Sequence, residues 1–223
     1  MYIAIDIGGT KTEIGFYKNR ALTSSISSRV FPTSQSFRNQ LRTIISEIEK
    51  RAKSPIEGIG VAFPGIVSKN GDILQASNIP DYKGKPLKGE LEKAFRAEVF
   101  LVQDSPCSAI AELVYGNLKG YMRIVHLIMG TGLGGAFIEV SKDMVTVSPI
   151  EACGMIVDVQ HGRTHNFVKT NGILEAYVGG GNIEEFYSKD LSKVSDNDLL
   201  WKEVSHYLAV GINNISVILK PEI

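Results

Sequence analysis

The stretch IAIDIGGTKTEIGFY, residues 3–17, sets two apolar runs around a polar turn. The first run carries an acid near its end, Asp6, and Gly8, Gly9, Thr10, Lys11 and Thr12 follow before apolar residues resume. The pattern reads as two β-strands, over 2–7 and 13–17, joined by a glycine turn. Glycines let backbone N–H groups approach an anion because no Cβ intervenes. Thr10, Thr12 and Lys11 add donors and a positive charge. An acid at a strand end can hold Mg²⁺ through water, because magnesium keeps much of its hydration and takes one or two carboxylates. The stretch is neither a Walker loop nor GxGxxG, and a plain polar hairpin fits it equally well. The rest of the chain has to decide.

The chain has 223 residues, enough for one large domain or two small ones. Its formal net charge is zero, so no basic field draws nucleic acid or an anionic membrane, and neither is expected as a partner. Cys107 and Cys153 lie far apart, which excludes a CxxC metal site. They read as two buried thiols in a reducing cytoplasm. No stretch approaches the ~20 apolar residues of a membrane helix. Asp6 interrupts the first apolar run and no basic segment precedes it, so the start does not read as a signal peptide. A cytoplasmic location is expected.

Further along, a strand is expected near 21–30. Phe37, Leu41, Ile44, Ile45 and Ile48 mark one face of a helix over 35–53. IEGIGVAFPG reads as a strand closed by Pro64-Gly65, and VSKNGDILQ as a hairpin turning at Asn70-Gly71. KGELEKAF reads as a helix and VFLVQ, 99–103, as a buried strand. A helix is expected from 106, with Ser105 as its cap, Pro106 in its first turn and Gly116 as its stop. Strand RIVHLIM (123–129), turn GTGLGG (130–135) and strand AFIEV (136–140) then repeat the logic of residues 2–17. A last helix is expected from about 196, stopping at Pro221. The chain therefore reads as two α/β halves, 1–107 and 108–223.

Two glycine turns, one per half, fit a cleft that grips a polyphosphate from both sides. Between them lies Asp104, at the end of an apolar strand and before a helix. A carboxylate there can take a proton from a substrate hydroxyl, though an acid before a helix is also a common cap. Asn78, Glu151 and Glu175 can accept hydrogen bonds from sugar hydroxyls, and each reads equally as an ordinary surface or capping residue.

In their order and spacing, DIGGTKT, GVAFPG, SNIP, LVQDSPCSA, GTGLGG and GILEAYVGGG resemble the ROK family of sugar kinases and related repressors. The resemblance implies the ribonuclease H-like, actin-like ATPase fold, a duplicated βββαβα unit with two α/β domains around a cleft. It implies ATP and Mg²⁺ as cofactors and a hexose or N-acylhexosamine as substrate: glucose, N-acetylmannosamine, N-acetylglucosamine or fructose. By the same resemblance Asp6 positions Mg²⁺, and Gly8, Gly9, Thr10, Lys11 and Thr12 form the first phosphate loop. Gly130, Thr131, Gly132 and Gly134 belong to the second. Asp104 is the general base acting on the sugar 6-hydroxyl, and Gly65, Asn78, Gln103, Glu151 and Glu175 contact the sugar. A homodimer is the family expectation.

The sequence departs from the family in three places. Gln103 stands where the family has asparagine. In EACGMIVD, Glu151 is kept, but Cys153 and Gly154 replace a glycine and a histidine. The cysteine-rich zinc loop before GILEAY is missing, so no structural zinc is expected, and His161 and His165 read as polar loop residues. After ILKPEI the family continues with a strand, a glycine turn and helices that help seat adenine. An expected kinase therefore competes with a catalytically inactive sugar or nucleotide sensor. A DNA-binding regulator is disfavoured, since Tyr2 already belongs to the first strand and leaves no room for a helix-turn-helix domain before it.

Overall fold

The computed structural model describes residues 1–19, 25–76, 78–160, 162–166 and 168–223. Strands β1 (Tyr2–Ile7) and β2 (Lys11–Tyr17) pair antiparallel, with Ile7 opposite Thr12. Because side chains alternate along a strand, Ile3, Ile5 and Ile7 enter the core with Ile14 and Phe16, while Asp6 and Glu13 stand on the other face. Strand β3 (Ser25–Pro32) follows; residues 21–24 of the expected strand lie outside the described residues. Strands β4 (Gly58–Phe63) and β5 (Glu98–Gln103) add parallel to β1, giving the order β3-β2-β1-β4-β5.

Helices α1 (Phe37–Arg51) and α2 (Leu87–Phe95) cross between these strands. Their apolar faces, including Ile44, Ile48, Leu87 and Leu91, join Ile3, Ile5, Ile7, Val61 and Leu101 in one core. Each such fully buried side chain contributes roughly 1.5–3 kcal/mol relative to exposure. The expected hairpin at 67–73 is present as a single antiparallel bridge, Val67 to Ile73, and Gly71 takes the positive φ of +87° that its turn demands. Since β1, β4 and β5 run parallel, they end on one sheet edge. The Gly8 turn, Pro64-Gly65 and Asp104 all follow those ends, the edge where open α/β sheets bind ligands.

Helix α3 (Asp104–Tyr115) begins two residues earlier than its sequence suggests. Ser105 is inside its first turn, so it is not the cap. The chain divides into two compact units, Met1–Cys107 and Ser108–Ile223. In the second, β6 (Arg123–Met129), β7 (Leu133–Val140) and β8 (Val145–Pro149) form an antiparallel sheet in that order. Ala109 of α3 packs on Ile124, Ala136 and Ile138. Among the described residues this sheet has three strands against five in the first unit. Beyond β8 the chain forms loops and helices α4 (Leu174–Val178), α5 (Gly180–Tyr187) and α6 (Leu200–Leu219). A Cβ on Gly211 would lie 2.5 Å from Leu174 Cδ2, so glycine lets α4 and α6 close on a core of Leu174, Tyr177, Leu200, Val204 and Ile215. Lys220, in the left-handed region at φ 46°, ends α6 just before Pro221. Among the described residues no helix is long and apolar enough to cross a membrane.

Candidate functional site

The first turn is closed by the Gly8 N–H, which donates to the Lys11 carbonyl at 2.8 Å. A Cβ on Gly8 would stand 2.8 Å from that same oxygen, so the turn needs glycine there. Gly9 abuts Asn78, whose Cβ lies 3.3 Å from where a Gly9 Cβ would be. Among the described residues the N–H groups of Gly9 and Thr10 have no protein acceptor. Thr10 and Lys11 are exposed beside them.

Thr12 differs from the exposed residues of the first turn. Its hydroxyl is fully buried, accepting from Gln40 Nε2 at 2.6 Å and sharing a hydrogen bond with Thr33 at 2.8 Å. Its backbone belongs to the β1–β2 ladder. It braces the turn from below. The signal was available in the strand alternation, which places Thr12 on the face of Ile14 and Phe16.

Asp104 is the first residue of α3. Its Oδ1 accepts the Ser105 N–H at 2.7 Å and lies 3.2 Å from the Ser105 hydroxyl. The Asp6 carboxyl is held above its ordinary value, first by partial burial, then by the Asp104 and Glu13 carboxylates, with Lys11 pulling the other way. This crowding of acids is what a divalent cation relieves, and one or two carboxylates are the usual protein share of a magnesium shell. Among the described residues no group of three or more His, Cys, Asp or Glu side chains is placed to hold a metal ion, so Asp6 offers at most one of the carboxylates that a largely hydrated Mg²⁺ would take. Cys107 lies under the same field: burial, then Asp104 and Asp6, push its thiol up to about 11. Gln103 ends β5, half-buried. Gly65 lies where a Cβ would meet the Gln75 carbonyl at 2.2 Å, and Asn78 is exposed. Ser77 of the SNIP segment lies outside the described residues.

In the second unit the turn is Gly130–Gly132, shorter than the sequence suggests, because Leu133, Gly134 and Gly135 already pair in β7. Gly134 stands opposite Ile128 as a strand residue. The turn is pinned three times. Gly180 and Gly181 N–H, at the start of α5, donate to the Gly130 and Thr131 carbonyls at 2.8 Å each. Glu175 Oε2 accepts the Leu133 N–H at 2.6 Å, and would lie 2.6 Å from a Cβ on Gly132. Thr131 and Gly132 N–H have no protein acceptor among the described residues.

Glu151 and Glu175 gather around Cys153. Burial, then Glu175 and Glu151, push this thiol up to about 12, and its S–H donates to Glu151 Oε2 at 3.5 Å. His165, read from sequence as a polar loop residue, lies in a loop and is buried at 2% exposure. The Val168 N–H donates to its Nδ1 at 3.1 Å, which leaves the proton on Nε2, 2.6 Å from Glu175 Oε1. His161 lies outside the described residues. Sequence reading also passed over Arg163, which fastens the same loop. Its Nη2 donates to Glu203 at 2.6 Å, and its guanidinium carbon lies 3.5 Å from the Phe186 ring centre. Tyr177 adds to this fastening: it accepts the Arg163 N–H at 2.8 Å and donates to Asp158 at 2.8 Å. These contacts join residues distant in sequence and leave no periodic trace.

Comparison with known proteins gives the same architecture. The chain is 27% identical over 206 residues to an N-acetyl-D-glucosamine kinase of Yersinia pseudotuberculosis serotype O:1b, covering 84% of this chain and 66% of that protein. Against the curated relatives first matched, it spans between 46% and 66% of their length. A putative N-acetylmannosamine kinase from Listeria monocytogenes superposes with a TM-score of 0.79 at 21% identity, over 99% of this chain and 80% of that one. A glucokinase of Streptomyces griseus in complex with glucose and AMPPNP superposes with a TM-score of 0.77 at 19% identity, over the same shares. The fold is the actin-like ATPase fold of these proteins. The ROK family profile matches residues 2–223, and with it the chain belongs to the ROK family.

Proposed function

We propose that the chain is an ATP-dependent sugar kinase, phosphorylating the 6-hydroxyl of a hexose or N-acylhexosamine such as glucose, N-acetylmannosamine or N-acetylglucosamine. One repeated device supports the reading best. Each unit follows a strand with a glycine turn bearing two consecutive N–H groups that lack a protein acceptor among the described residues, Gly9–Thr10 and Thr131–Gly132. Such amide pairs suit phosphate oxygens. The kinase names of the relatives, and the AMPPNP and glucose of the Streptomyces griseus structure, point the same way.

In this reading Asp104 takes the proton of the sugar hydroxyl as that oxygen bonds to the γ-phosphorus and the bond to the departing ADP oxygen breaks. Ser105 fixes the carboxylate through Oδ1, so its orientation is set before substrate arrives. Asp6 would help hold Mg²⁺, which would supply charge neutralisation at the phosphates. Lys11, Gly8 and Gly130 complete the two turns, and Gly134 backs the second from β7; Gly65, Asn78, Gln103, Glu151 and Glu175 orient the sugar. A homodimer in the cytoplasm belongs to the same reading.

Coupled assay of ADP release by the full chain against a panel of hexoses and N-acylhexosamines tests it. At least one sugar is expected to stimulate turnover, and Asp104→Asn to lower kcat by about 10²–10⁴ while sugar still binds. Sugar or nucleotide binding with no turnover on any sugar would instead identify an inactive sensor.

A further inference from the structure

We propose that His165 is a positioning residue for the second glycine turn, acting through Glu175. Its effect on nucleotide binding rests on the kinase reading, whereas its effect on the turn does not.

Three hydrogen bonds run in series: Val168 N–H to His165 Nδ1 at 3.1 Å, His165 Nε2–H to Glu175 Oε1 at 2.6 Å, and Leu133 N–H to Glu175 Oε2 at 2.6 Å. The first fixes the imidazole tautomer, so Nε2 is always the donor. The second ties down one carboxylate oxygen from a side chain only 3% exposed. The third ends on the residue next to Gly132, whose bare Cα leaves room for Glu175 Oε2. Of the turn's three anchors, the two from Gly180 and Gly181 are backbone to backbone. The third alone is a side chain, free to rotate unless something holds it. His165 holds it. The direction in which Thr131 and Gly132 present their N–H groups thus depends on a histidine in a separate loop, with no metal ion required in the linkage.

Hydrogen exchange at the Leu133 amide and calorimetric AMPPNP affinity of the full chain test this, with His165→Leu, His165→Gln and Glu175→Gln as variants. His165→Leu is expected to speed exchange at Leu133 by about tenfold, the worth of one such bond, and to weaken AMPPNP by a similar factor. Exchange across residues 3–7 should stay unchanged. His165→Gln places an amide N–H close to the former Nε2 and should restore most of both effects, which a merely space-filling histidine would not allow. Unchanged Leu133 exchange in a folded His165→Leu overturns the proposal, as does failure of His165→Gln to restore it. Should His165→Leu not fold, His165→Gln decides: Leu133 exchange near that of the unaltered chain supports the linkage, and exchange as fast as in Glu175→Gln removes it. If the unaltered chain binds no AMPPNP, the kinase reading falls, and the exchange measurement still decides the role of His165.

Discussion

The Gln40 side-chain amide donates to the Thr12 hydroxyl at 2.6 Å, and both side chains are sealed from solvent at 1% and 0% exposure. The other end of that amide accepts the Ser34 N–H at 2.8 Å, so Gln40 ties α1 to the strand behind the first glycine turn. Thr12→Val keeps the shape and removes the oxygen, stranding a buried donor. We expect a loss of about 1–3 kcal/mol in urea unfolding and, if the kinase proposal holds, an unchanged KM for ATP. A raised KM at unaltered stability would return Thr12 to the ligand's surface.

Thr12 also shows where the sequence was legible and where it was not. The apolar runs of β1, β4 and β5, the helical face from Phe37 to Ile48 and the stop before Pro221 are local patterns, and the structure repeats them within a few residues. The polar residues of a turn carry no such period, so Thr12 was grouped with its neighbours by chemistry when its strand parity pointed inward. Ser105 illustrates a second limit: cap positions shift by a residue or two, and α3 starts on Asp104 itself. His165 and Arg163 mark a third, because their partners Glu175 and Glu203 lie 10 and 40 residues away and only tertiary packing brings them together.

Asp6 gives a pH dependence of definite sign. Its carboxyl is raised in the fold, by burial first and then by Asp104 and Glu13, so the folded state favours the protonated form. That stabilisation is full below the ordinary value of 3.8 and disappears as pH rises through the folded value. Asp6→Asn should therefore melt higher than the unaltered chain at neutral pH, with the difference vanishing in acid. Millimolar MgCl₂, against NaCl of equal ionic strength, should raise the melting temperature of the unaltered chain and leave Asp6→Asn unmoved. A variant that melts lower at neutral pH contradicts the raised carboxyl.

The two thiols should be slow nucleophiles. Cys107 is pushed up to about 11 and Cys153 to about 12 from the ordinary thiol value of 9.0. Only thiolate reacts, so at pH 8 iodoacetamide should modify each about a hundredfold or more slowly than a free cysteine. Between pH 7 and 9.5 the rates should climb tenfold per unit without levelling. Glu151→Gln should speed Cys153 and leave Cys107 alone, since Glu151 acts on Cys153 and not on Cys107. Equal acceleration of both would mean that the variant had loosened the fold generally.

Arg163 holds its loop by shape as much as by charge. Its guanidinium lies over Phe186, with its carbon 4.8 Å from the Tyr177 ring centre, while Nη2 pairs with Glu203, which also accepts from the Tyr187 hydroxyl. Lysine keeps the charge but has neither the planar fork nor the stacking surface. Arg163→Lys should therefore lose on the order of 2 kcal/mol in urea unfolding, and its effect should not add to that of Glu203→Gln because both act on one linkage. Since Arg163 N–H also donates to Tyr177, whose hydroxyl reaches Asp158, the damage should spread along residues 158–172 as faster amide exchange. Independent, additive losses from the two variants would show that the ion pair and the aromatic stack act separately.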